Sequence, residues 1–153
     1  MITLVGSLLI AASVVIHGVG TTWWVRHLAA RYLGTDGQLL AASRLRALIA
    51  TAILLTGLHM IEVLLWALAY LAIVPAGELS GVETALYFSA ATFTTLGYGD
   101  VTLESEWRLL SGIEAIDGIL LIGWSTAMMF AVLQRSWASL EASGTPASQE
   151  GRP

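Results

Sequence analysis

Residues 91–100 read ATFTTLGYGD, and where this stretch sits decides the fold. Two glycines, a tyrosine and an aspartate follow directly on a run of threonines, between two long apolar segments. Glycine and aspartate are common turn residues, so GYGD alone reads as a surface turn. The alternative is that the backbone of residues 95–100 is itself the working surface.

Composition narrows the choice. Of 153 residues, 56% are hydrophobic and 12% charged, where a typical soluble domain carries about 25% charged residues. Such a chain belongs in a membrane. The absence of cysteine excludes disulfides, thiolate metal sites and cysteine nucleophiles. The seven basic residues are all arginine and are scattered, so the clustered positive surface of a nucleic-acid binder is missing.

Three segments reach the roughly 20 apolar residues needed to cross a bilayer: 1–25, 45–74 and 109–134. The first lacks the basic residues that precede the apolar run of a signal peptide and is longer than such a run, so it is expected to be a retained helix. Between the second and third lies Pro75 to Arg108, with one further apolar piece, Val82 to Phe93. Twelve residues cannot cross. Ser80-Gly81-Val82-Glu83 has the S-x-x-E pattern of a capping box, which predicts a short re-entrant helix over 81–94. Non-helical backbone at membrane depth is tolerated only where protein buries it or it lines a wet cavity, and TLGYGD directly after a re-entrant helix fits that allowance.

The arginines give an independent topology. Arg26, Arg31, Arg44 and Arg46 fall in or beside the 26–44 loop, and Arg135 and Arg152 follow the third span. The region between the second and third spans holds Arg108 against Glu78, Glu83, Asp100, Glu104 and Glu106. The positive-inside rule then places the 26–44 loop and the C-terminus in the cytoplasm and the N-terminus outside. Trp23, Trp24 and Trp107 stand where interfacial aromatic residues gather. The 26–44 loop, with a turn signalled at Thr35-Asp36-Gly37, is expected to consist of short helical extensions lying at the surface, and the small, polar stretch 135–153 is expected to be a disordered cytoplasmic tail.

A cation selected by size must exchange its water for protein oxygens without being held too tightly to leave, and backbone carbonyls have suitable field strength. Aiming successive carbonyls at one axis needs unusual backbone angles, which Gly97 and Gly99 adopt without steric cost. Thr95 adds a hydroxyl, while Leu96 and Tyr98 turn outward to pack. One strand cannot surround an ion, so several identical chains closing cyclically are required.

Residues 94–100 resemble the pore loop of the potassium channel superfamily, whose signature is T-x-G-Y-G-D. The likeness extends to the order of an outer helix (45–74), pore helix (81–94), filter (95–100) and inner helix (109–134), and leaves the first helix and the tail outside. It implies an all-α membrane protein of three transmembrane helices with a re-entrant pore helix, assembled as a homotetramer that conducts K⁺ passively. It implies K⁺ coordination by Thr95, Leu96, Gly97, Tyr98 and Gly99, with Thr94 and Asp100 flanking. No cofactor other than the permeant ion is implied. A bare pore module of this size is most similar to prokaryotic members.

Three departures from the family pattern matter. Leu96 replaces the more usual Val or Ile, and Tyr87-Phe88 and Ala91 stand where relatives have a Trp pair and, in some, a glutamate behind the filter. Tyr87 is placed to hydrogen-bond Asp100. Glu114 and Asp117 are one turn apart on the third span, about 7 and 12 Å below its outer end. Ionisable groups at that depth are expensive and often functional, so one of them, Asp117 by preference, is expected to brace the pore helix through Ser89 or Thr92. Gly118 and Gly123 are candidate hinges, since inner helices of the superfamily are similar in carrying a bending glycine. His59 and Glu62 share a face of the second span but are two ligands where zinc sites have three or four, which favours an internal polar pair; His17 is expected to make a single contact between helices.

No span repeats arginine as a voltage sensor does. No nucleophile, base and orienting group converge, so an enzyme is not expected. A weakly selective cation channel and a non-conducting regulatory or assembly subunit are the two alternatives.

Overall fold

The computed structural model describes residues 1–32, 43–75, 77–104 and 106–144. Its elements are four helices: α1 (Ile2–Tyr32), α2 (Arg44–Ile73), α3 (Val82–Phe93) and α4 (Arg108–Gly144). Three of them, Ile2–Tyr32, Arg44–Ile73 and Arg108–Trp137 within α4, are long and apolar enough to cross a membrane, as hydropathy predicts. The Thr35-Asp36-Gly37 turn and residues 145–153 lie outside the described residues.

Proline punctuates the end of α2. Steric exclusion by Pro75 drives the residue before it out of the helical region, and Val74 is extended, at φ −80° and ψ 140°. The chain then turns into α3 through Gly81, whose φ of 121° suits glycine. This glycine undoes the predicted capping box. It occupies the N-cap itself and makes no side-chain cap; Ser80 falls one residue outside the cap and pairs instead with the Thr84 hydroxyl at 3.0 Å.

α1 continues through Arg26 to Tyr32, a helical extension of the kind expected for the start of the 26–44 loop. One boundary differs from expectation. α4 continues to Gly144, ten residues past the predicted end, so 135–144 are helical. Hydropathy marks where a chain leaves apolar surroundings, and a helix need not stop there. The Ser, Ala, Leu and Glu of 136–143 all permit it.

Register follows from the contacts. His17 meets Glu62 and Trp24 meets Thr51, so α1 and α2 are antiparallel. Tyr70 meets Glu114, Trp66 meets Asp117 and His59 meets Ser125, so α2 and α4 are antiparallel too. α1 therefore runs parallel to α4 and packs on both neighbours. Its Gly6 seats against Ile113 and its Gly20 against Leu58, the close approach that small residues permit between membrane helices. Trp24 and Trp107 are buried, against the interfacial reading, while Trp23 is exposed. The main core joins α2, α3 and α4 through Trp66, Tyr70, Phe93, Leu110 and Leu121, and large apolar residues such as Leu8, Val15, Ile53, Leu68 and Ile116 face outward.

Candidate functional site

α3 ends at Phe93, and the backbone then changes character. Of residues 94–100, Thr95, Gly97 and Gly99 have positive φ, at 58°, 49° and 79°. Glycine adopts this region freely. Thr95 does not: it is β-branched, and such a residue at positive φ is an outlier that stores about 1–3 kcal/mol of strain. The Gly97 amide turns back to the Ala91 carbonyl at 3.0 Å and the Thr95 amide to the Thr92 carbonyl at 2.9 Å. The Thr94 hydroxyl likewise donates to the Ala90 carbonyl at 2.7 Å. The Thr95 and Gly97 amides and the Thr94 hydroxyl are thus held by carbonyls of α3.

The loop is tied down at its far end. The Tyr87 hydroxyl donates to Asp100 Oδ2 at 2.7 Å, and Asp100 Oδ1 accepts the Val101 amide at 3.1 Å. The hydrogen bond to this carboxylate holds the Tyr87 phenol above its usual pKa, because ionising it would set two anions face to face. All of residues 94–100 are exposed in the single chain.

The profile of the ion channel family matches residues 48–135, which is 88 of the 153 residues. The chain belongs to the ion channel family. The match takes in most of α2, all of α3, the TLGYGD loop and most of α4, and leaves α1 outside. With its three apolar helices, this ion channel is an integral membrane protein. No curated protein and no solved structure matches the chain.

Behind the loop of this ion channel a polar seam crosses the helix bundle. The Ser89 hydroxyl of α3 is shared between Glu114 Oε1 at 2.6 Å and the Val63 carbonyl at 2.9 Å. The Tyr70 hydroxyl of α2 donates to Glu114 Oε2 at 2.6 Å. Glu114 therefore joins all three helices of the matched region, and it is fully buried. This corrects the preference for Asp117. Three residues apart is 300° around a helix, so the two acids point about 60° apart, and Asp117 accepts the Trp66 indole N–H at 2.9 Å instead.

The two hinge candidates also separate. A Cβ on Gly118 would lie 1.9 Å from the Phe93 carbonyl oxygen, whereas one on Gly123 would meet nothing within 4 Å. Gly118 is the notch that lets α4 touch the end of α3. Sequence reasoning missed Trp66 and Tyr70, although Glu62, Trp66 and Tyr70 fall at four-residue spacing on one stripe of α2. It also left His17 apart from His59 and Glu62, which the fold brings together from positions 45 residues distant.

Proposed function

We propose that four copies of the chain close around a common axis and conduct K⁺ passively, with Thr95, Leu96, Gly97, Tyr98 and Gly99 as the selectivity filter. The observation that carries this reading is positive φ at every second residue from 95 to 99. In an ordinary extended strand successive peptides face opposite ways. Inverting alternate residues turns the carbonyls toward one side, and with the Thr95 and Gly97 amides bonded to α3 the oxygens are left for an ion. Such a column replaces a hydration shell at moderate field strength. The carbonyl end of α3 adds a partial negative charge near the inner end of the filter, the Thr95 hydroxyl adds one more oxygen there, and Asp100 stands at the mouth.

Leu96 and Tyr98, 56% and 68% exposed in the single chain, support assembly. Each is large and placed to pack against a neighbouring copy. A recess of about 370 Å³ beside Tyr98, bordered by Tyr87, Thr92, Ser111 and Ala115, offers room for that neighbour. In place of the missing rear glutamate, Glu114 fixes α3 from behind, and Thr94 and Tyr87–Asp100 hold the two ends. The positive-inside rule sets the arginine-bearing ends of α1, α2 and α4 in the cytoplasm, with the filter mouth outward, in what the resemblance suggests is a prokaryotic cell membrane.

The test is K⁺ flux from liposomes containing the purified full chain, beside Gly97→Ala. Alanine at φ 49° is strained even though its Cβ has space, so flux should fall to background while the oligomer persists. A wild-type tetramer without flux would sink the proposal and favour a regulatory subunit.

A further inference from the structure

Away from the TLGYGD loop, His17 on α1, His59 and Glu62 on α2, and Ser125 on α4 converge within the helix bundle. His17 Nδ1 lies 2.8 Å from Glu62 Oε1 and His59 Nδ1 lies 2.9 Å from Glu62 Oε2. The two imidazoles stack with centroids 5.4 Å apart. Their other nitrogens face one atom, Ser125 Oγ, at 3.3 Å from His17 Nε2 and 3.0 Å from His59 Nε2. His17 and Glu62 are fully buried, Ser125 is 8% exposed, and the rings of Trp124 and Phe93 wall the cluster.

Counting protons shows what this arrangement suits. With both imidazoles neutral and both Nδ1–H groups donated to Glu62, each Nε2 is an acceptor. Ser125 has a single hydroxyl proton and satisfies only one of them. If instead both Nδ1 atoms bind a cation, both Nε2 atoms carry the proton and both donate to Ser125 Oγ, whose two lone pairs accept them. That is the outer-shell arrangement typical of metal-bound histidine, whose free N–H is held by an oxygen acceptor.

We infer that His17, His59 and Glu62 bind a zinc-class divalent ion, through the two Nδ1 atoms and the carboxylate, with Ser125 orienting both rings. Two imidazoles and one carboxylate match the softness of such an ion and the donor set of known zinc sites with an open fourth position. One ligand atom from each of the three residues lies within 4.8 Å of the other two. Ligands of one tetrahedral ion lie about 3.3 Å apart at Zn–N distances of 2.0–2.1 Å, so an ion entering between them would replace the 2.8 and 2.9 Å contacts of the two Nδ1 atoms to Glu62 with slightly longer spacings. The site clamps α1, which lies outside the matched channel domain, to α2, whose His59 ring lies near Phe93 at the end of α3. It does not rest on the filter assignment.

The test uses the full chain in detergent, stripped with a chelator and titrated with Zn²⁺ by calorimetry and with Co²⁺ by visible absorption. One ion per chain is expected, with the intense visible bands of tetrahedral Co²⁺ and a raised unfolding temperature on loading. Ser125→Ala should weaken binding by about 10–100-fold, the usual effect of losing an outer-shell partner, while the protein stays folded. His17→Gln should abolish stoichiometric binding, and His27→Gln should bind as the wild type does. Absence of a stoichiometric ion and of cobalt bands in the wild type would overturn the inference and leave a cluster that holds protons only. Unchanged affinity in both Ser125→Ala and His17→Gln would overturn it as well.

Discussion

Replacing Gly118 by alanine tests how α3 is seated. The new Cβ would stand 1.9 Å from the Phe93 carbonyl oxygen, 2.7 Å from its carbon and 3.1 Å from its Cα. All three atoms are backbone, so no side chain can swing aside. Restoring ordinary contact at 3.4 Å requires the helices to part by about 1.5 Å along that vector. Overpacking a well-filled interior costs about 1–3 kcal/mol, and the upper end applies because Phe93 is the last residue of α3 and 1% exposed. Gly123→Ala is the matched control. Its Cβ meets nothing within 4 Å, and alanine is the better helix former by up to about 1 kcal/mol. Titration with a denaturing detergent, followed by tryptophan fluorescence, should therefore show Gly118→Ala destabilised by about 2–3 kcal/mol and Gly123→Ala neutral or slightly stabilised. Because the displaced helix end leads directly into Thr94 and Thr95, Gly118→Ala should also lower ion flux. Equal stability of the two variants would refute the notch and return Gly118 to the role of a hinge.

Other perturbations follow from the same geometry. Glu114→Ala leaves the Tyr70 hydroxyl without its carboxylate while Ser89 keeps the Val63 carbonyl, and an unpaired buried polar group costs about 1–3 kcal/mol; a loss of that size is expected in the same titration, against less than about 1 for Asp117→Asn, which keeps an acceptor oxygen for Trp66. Thr95→Gly should stabilise the chain by about 1 kcal/mol through relief of its positive-φ strain while weakening ion selection, an opposition visible when unfolding and flux are measured side by side. The Tyr87 phenol, raised by its bond to Asp100, stays neutral and bonded through the pH range where tyrosine ordinarily ionises. Its stabilising bond is present below that range and lost only as pH climbs through the raised value. Ultraviolet difference titration should show a late-ionising tyrosine that disappears in Tyr87→Phe and returns to the usual range in Asp100→Asn.

The spans were legible because bilayer thickness sets their length, and the GYGD segment because glycine alternation has few uses between two such spans. The polar seam was less so. Hydropathy places Glu114 and Asp117 at depth but says nothing of the 60° that sends one to Ser89 and the other to Trp66. His17 looked solitary because its partners arrive from α2 and α4, and only the register of three helices brings them together. In lipid, apolar surface alone does not drive helices together, so the bonds of Glu62, Glu114 and Asp117 carry more of the specificity than the apolar pattern that revealed the helices. The capping-box motif misled because Gly81, with its positive φ, was free to take the cap from Ser80.

The most direct test of the central claim is the reversal potential of the reconstituted channel with K⁺ on one side of a planar bilayer and Na⁺ on the other. If the carbonyls of residues 95–99 select the ion, current should reverse strongly toward the K⁺ equilibrium potential. Reversal near zero would contradict K⁺ selection and make this member of the ion channel family a weakly selective cation pathway.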